Sequence, residues 1–109
     1  MIEGLWTVEF RSSMARLGFG TIIFDRNRVV GGDDGYYYIG TYEVDGDTIK
    51  GVAKIKKYNA AAVSIFGPLE IFDVEISGPV NDTMMTLTGS VVKHPEMRLS
   101  VICTKRENL

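Results

Sequence analysis

Cysteine is all but missing from this sequence: Cys103 is the only one in 109 residues. A lone thiol excludes an internal disulfide and a cysteine-rich zinc site, and it fits a reducing compartment. Histidine is equally scarce, with His94 alone. No Gly-x-Ser-x-Gly turn or similar nucleophile motif accompanies it, so no catalytic triad and no metal site is expected. An excess of basic charge is also lacking. The 12 Lys and Arg stand against 14 Asp and Glu, for a formal net charge of −2. Nucleic-acid binding needs a basic footprint to neutralise phosphates, so DNA and RNA are excluded as partners. No apolar run approaches the roughly 18 residues of a membrane helix. The start Met1-Ile2-Glu3-Gly4 has neither the basic nor the apolar stretch of a signal peptide. The expectation is a cytoplasmic chain with no membrane partner. Proline is low at 3 residues, and no low-complexity segment or linker interrupts the chain. Residues 1–109 are therefore read as one domain.

What is present is alternation. Hydrophobic residues make up 45% of the chain, and 12 glycines separate short β-rich runs. Trp6, Val8 and Phe10 alternate with Thr7, Glu9 and Arg11. Gly18 to Phe24 is a second run, Asp25 to Arg28 a turn, and Val29-Val30 the start of a third strand. Gly31-Gly32-Asp33-Asp34-Gly35 reads as a loop, and Tyr36 to Glu43 as a fourth strand. Asp45-Gly46 is a strong hairpin signal. A two-residue turn there sets Val44 against Asp47, Tyr42 against Ile49, Gly40 against Gly51, Tyr38 against Ala53 and Tyr36 against Ile55, all on one apolar face. The opposite face pairs Thr41 with Lys50 and Tyr37 with Lys54.

The fifth strand spans Thr48 to Lys57. Asn59 to Ser64 reads as a short helical turn or a loose loop, ended by Gly67-Pro68. Leu69 to Gly78 and Thr83 to Val92 form a further hairpin about Pro79-Val80-Asn81-Asp82, with Ile76 meeting Met85, Val74 meeting Leu87 and Phe72 meeting Gly89. His94-Pro95 breaks the chain before the last strand, Met97 to Lys105. Eight such strands predict an all-β fold, an antiparallel up-and-down barrel whose closure removes exposed edges. The same pattern also fits a β-sandwich.

Several residue groups are candidates for function. Trp6, Phe10, Tyr36, Tyr38 and Tyr42 share the inward face. They line either a small-ligand pocket with phenol hydroxyls as polar handles, or an ordinary aromatic core. Asp33 and Asp34 are paired carboxylates, but their spacing matches no calcium loop, and Asp and Gly are the usual turn residues. Cys103 alternates with Val101 and Leu99 and reads as a buried small hydrophobe. Glu43, Asp45 and Asp47 expose three carboxylates at a hairpin tip. They form either a solvated tip or a docking point for a basic partner surface. Ile39 with Val52, and Ile23 with Val30, form apolar pairs on the outer face. They suggest a homodimer surface. Catalytic residues, metals and cofactors are expected to be none.

Gly4-Leu5-Trp6 resembles the Gly-x-Trp opening of lipocalin-type barrels. That resemblance implies a Trp closing the barrel base near a basic residue of the last strand, here Lys105 or Arg106. A longer match runs through Gly4-Leu5-Trp6-Thr7-Val8-Glu9-Phe10, Gly18-Phe19-Gly20, Val29-Val30-Gly31-Gly32-Asp33, Tyr38-Ile39-Gly40 and Tyr58-Asn59. It resembles the negative regulators of bacterial type III secretion, the GrlR-like proteins, over about the first 60 residues. The resemblance implies a lipocalin-like barrel, a dimer, and a non-enzymatic role in which the protein binds and holds a transcription activator inactive. It also implies that an acidic loop, here Glu43 to Asp47, contacts that partner. The alternative is a carrier or sensor of a small hydrophobic ligand held inside the barrel.

Overall fold

A computed structural model of the chain describes residues 2–66 and 69–109. The expected stop at Gly67-Pro68 lies outside the described residues. Eight strands follow one another: β1 (Gly4–Ser12), β2 (Leu17–Asp25), β3 (Arg28–Gly32), β4 (Tyr36–Asp45), β5 (Thr48–Lys57), β6 (Ile71–Pro79), β7 (Met84–Val91) and β8 (His94–Glu107). Each pairs antiparallel with the next. β8 pairs with β1 through Trp6–Lys105, Thr7–Thr104 and Val8–Cys103, so the sheet closes into an up-and-down barrel. This is the expected architecture, compatible with a lipocalin-like fold, and not the sandwich.

Alternation builds the interior. Trp6 and Val8, Ile22 and Phe24, Met85 and Leu87, and Leu99, Val101 and Cys103 are buried in turn along their strands. Burying each large apolar side chain contributes about 2 kcal/mol. The barrel has two distinct ends. The upper end carries the connections 13–16, 33–35 and 92–93 and the described residues 58–66 and 69–70 between β5 and β6. The lower end carries both termini and the turns 26–27, 46–47 and 80–83.

The turn chemistry sets three registers, and two differ from expectation. Arg26 and Asn27 both have positive φ, 50° and 68°, which is the type I′ pattern that suits a twisted hairpin. Asp25 pairs with Arg28 as expected, and Val30 with Ile23. In the β4–β5 hairpin, by contrast, Gly46 is the first central residue, with φ 64°. Positive φ at that position alone is the type II′ pattern. Asp45 therefore pairs with Thr48, and Tyr42 meets Gly51, Gly40 meets Ala53, Tyr38 meets Ile55 and Tyr36 meets Lys57. The shift keeps every side chain on its face, because it moves partners by two positions. Val44 ends exposed at the rim rather than inside. On the outer face the shift replaces the expected pairs: Ile39 meets Lys54, Thr41 meets Val52, and Tyr37 meets Lys56.

Between β6 and β7 Ile76 meets Gly89 and Val74 meets Val91, not Met85 and Leu87. The connection after Pro79 is wider than a tight turn. Val80 N–H donates to the Asp47 carbonyl, and the Asn81 side chain caps Thr83 and Met84 at 2.9 and 3.2 Å. His94-Pro95 does not break the chain. Val91 pairs with His94, and the register then slips before Ser90–Arg98. This irregularity tolerates a proline that cannot donate to the ladder. Asn59 to Ser64 is a loop with a turn at Ala60-Ala61, the second of the two expected forms.

Candidate functional site

The five aromatic candidates divide by height along the barrel axis. Trp6, fully buried, stacks edge-on against Phe24 at 5.8 Å, and Phe24 against Tyr42 at 4.9 Å. Trp6 Nε1–H donates to the Ile2 carbonyl at 2.8 Å, and Lys105 Nζ lies 5.9 Å over the indole. Lys105 is thus the basic residue beside the Trp, while Arg106 bonds Thr7 Oγ1 at 2.8 Å on the outside. Ile49, Met85 and Leu87 fill the rest of the lower half. Trp6 and Tyr42 are base packing, and neither lines the interior cavity.

Phe10, Tyr36 and Tyr38 do line it. The cavity occupies the upper half, measures about 440 Å³ and is walled mainly by apolar side chains, among them Ile22, Val29, Ile55, Phe72 and Val101. That volume falls in the range of small-molecule sites. Gly18 and Gly20 line the inner face of β2. A Cβ at Gly20 would come within 2.9 Å of the Tyr38 hydroxyl and 3.4 Å of Phe10.

The segment 59–66 covers the cavity. Phe66, nearly buried, packs edge-on against Phe72 at 6.0 Å, and Phe72 against Tyr36 at 6.3 Å. This cover is tied down at several points. Ser12 Oγ–H donates to the Ile65 carbonyl and Tyr36 O–H to the Leu69 carbonyl, both at 2.8 Å. Tyr58 and Asn59 backbone N–H groups donate to the Gly35 carbonyl at 3.0 and 3.3 Å. The Asn59 amide donates to the Asp34 carbonyl at 3.1 Å, and Tyr58 O–H to the Asp33 carbonyl. Gly31 and Gly32 belong to β3 rather than to the expected loop, and the remaining Asp33–Gly35 connection meets Tyr58-Asn59, distant in sequence, at the cavity mouth.

Asp33 is the hub of that loop. Its Oδ1 accepts the N–H groups of Gly35 and Tyr36, each at 2.8 Å, and its Oδ2 accepts the Tyr38 hydroxyl. Burial first, then the Asp33 carboxylate, pushes the Tyr38 phenol far above its ordinary range. Burial also raises Tyr36 and Tyr42. These hydroxyls stay protonated at neutral pH and act as hydrogen-bond donors, not bases.

The remaining candidates are dispersed. His94 is half-exposed at the upper turn, 3.8 Å from Glu96, while Cys103 is fully buried lower in β8 and its thiol is pushed up to about 12 by burial. Glu43, Asp45 and Asp47 are exposed at the lower end, with Glu43 opposite Lys50. Ile23 and Val30 pair as expected, and the row extends to Leu5 on β1 and Ile39 on β4. Val52 lies outside that row but is also exposed. A hollow of about 720 Å³ on the outer face of β4–β7 is rimmed by Thr41, Glu43, Lys50, Glu75 and Ser77. It is an open surface concavity of mixed polarity, with Val52 and Ile76 also in its lining, and not an interior site. Among the described residues no group of three or more His, Cys, Asp or Glu side chains is placed to hold a metal ion, and no helix is long and apolar enough to cross a membrane.

Sequence reasoning missed Leu17, Phe19, Val63, Ile65, Phe66 and Phe72, which also line the cavity. The available signal was Gly18-x-Gly20, two inward positions without side chains, which let Phe10, Tyr38 and Ile65 approach β2 closely at the cavity wall. The chain matches no family model and no curated protein.

Proposed function

We propose that the protein is a non-enzymatic binding protein that holds a small apolar ligand in the upper half of its barrel. The observation that carries this reading is the cavity of about 440 Å³ above a solid aromatic base. Inside the rim its polar side chains are already engaged: Tyr36 with Leu69, Tyr38 with Asp33, and the Ser64 hydroxyl with the Phe66 N–H, while the Asp34 carboxylate stands at the mouth. An occupant gains little from hydrogen bonding there and gains chiefly from removing its apolar surface from water. The test is a fluorescence titration with N-phenyl-1-naphthylamine, a neutral probe that brightens in apolar surroundings. Saturable one-to-one binding is expected, weakened at least about tenfold in Ala53→Leu, which adds volume to the cavity wall. A thermal melt confirms that this variant folds. Absence of saturable binding, or equal binding by a folded Ala53→Leu, sinks the reading.

A second reading draws on the resemblance to secretion regulators and on the outer row Leu5, Ile23, Val30 and Ile39. In it the protein is a dimer that acts by direct protein binding, with Glu43, Asp45 and Asp47 facing a basic surface of the partner. Pull-down of a candidate activator by wild type, and its loss on charge removal at those three residues, tests this reading.

A further inference from the structure

We infer that the cavity selects a cationic amphiphile: an apolar tail inside the barrel and an ammonium group at its mouth beside Asp34. This rests on the ligand-binding reading and adds the chemical class of the ligand. The mouth is lateral. The β2–β3 ladder ends at Thr21–Gly32, so Leu17 to Gly20 of β2 have a strand partner only in β1. The cavity wall there includes Leu17, Phe19 and Val63, which are 56%, 64% and 63% exposed. Such exposure of large apolar side chains fits a rim over which an apolar tail enters.

Charge at the mouth has one sign. Asp33 and Asp34 are the only Asp or Glu among the cavity-lining residues, which include no Lys, Arg or His. Arg16 and Lys57 also lie at the upper end but do not line the cavity. Both Asp33 oxygens are engaged by Gly35, Tyr36 and Tyr38. Asp34 is exposed, and its carboxylate makes no hydrogen bond or ion pair among the described residues. A fatty-acid carboxylate held at this mouth would face two like charges without a cation to offset them, whereas an ammonium group there meets opposite charge.

The test is displacement of N-phenyl-1-naphthylamine at neutral pH and low salt by three ligands with the same tail: dodecylammonium, dodecanol and dodecanoate, each below its micelle concentration. Dodecylammonium should displace the probe at roughly tenfold lower concentration than dodecanoate, with dodecanol between them. High salt and Asp34→Asn should each shrink that ratio. If dodecanoate displaces the probe as well as dodecylammonium, or if Asp34→Asn leaves the ratio intact, the charge selection is wrong while ligand binding stands. If the probe itself does not bind saturably, the ligand reading fails and this inference fails with it.

Discussion

Asp33 shows how one residue serves both loop and cavity. Its type and place in a Gly-rich loop mark it as a turn former, and Oδ1 does cap Gly35 and Tyr36. Its other oxygen reaches the Tyr38 hydroxyl inside the barrel. Asp33→Ala removes both functions and leaves that hydroxyl without its acceptor. We expect a loss of about 2–4 kcal/mol in urea unfolding. The double variant with Tyr38→Phe should cost less than the sum of the singles, since the two residues share one interaction. Additive losses would mean the bond contributes nothing. Cys103 gives a second prediction. Burial raises its thiol from the ordinary 9.0 to about 12, so the folded chain holds this proton more tightly than the unfolded chain. That contribution is complete below pH 9.0 and is lost as pH climbs toward 12. Tyr36, Tyr38 and Tyr42 are raised as well and act in the same direction. Stability should therefore fall with rising alkalinity, and less steeply in Cys103→Ala. An unchanged slope in that variant would show that the thiol is not protected.

At the scale of strands and turns, glycine positions have separable costs. Gly40 packs so tightly against β5 that a Cβ would overlap the Val52 carbonyl oxygen and the Ala53 backbone. Gly46 has no atom within 4 Å of such a Cβ, but its φ of 64° disfavours any other residue. Gly40→Ala should cost up to about 3 kcal/mol, because backbone cannot move aside as a side chain can. Gly46→Ala should cost roughly 1 kcal/mol from its left-handed backbone. Chemical denaturation of both variants decides the matter: equal losses would contradict the close approach at Gly40. The strands themselves are legible in the sequence because period-two alternation directly reports which face is buried, as Leu99, Val101 and Cys103 illustrate. Alternation is silent about height along the barrel axis. That is why the pattern groups Trp6 and Tyr42, on the correct face, with a cavity that lies above them. It is equally silent about pairing distance. Asp45-Gly46 supports two turns one residue apart, and both keep Tyr36, Tyr38 and Tyr42 inside. The cover formed by Val63, Ile65 and Phe66 has no period to read, since its residues are fixed by contacts with Phe72 and Ser12 far along the chain.

Taken whole, the barrel is solid below and hollow above, and its outer surface is uneven. The row Leu5–Ile23–Val30–Ile39 crosses four strands of the lower outer face before Lys54 and Asp73 continue it as an ion pair at 3.1 Å. Only Ile39 of the four is exposed, at 39%, and the other three are partly buried. The row is therefore a narrow ridge, and a stable dimer must cover more than it alone to reach the roughly 1,000 Å² of a specific interface. Two copies related by a two-fold axis would set ridge against ridge, with Val52 beside it adding apolar area. The protein-binding reading then predicts a concentration-dependent dimer by sedimentation equilibrium. Ile23→Glu should convert it to monomer by placing a charge at the centre of the contact. Thr86→Glu, exposed on β7 across the barrel, should leave it a dimer. A wild-type protein that stays monomeric at high concentration would remove the dimer. The same Ile23→Glu monomer separates the two functional readings, because its cavity mouth at the upper end is untouched. It should bind the naphthylamine probe with wild-type affinity while losing self-association, and loss of both together would tie the cavity to the dimer.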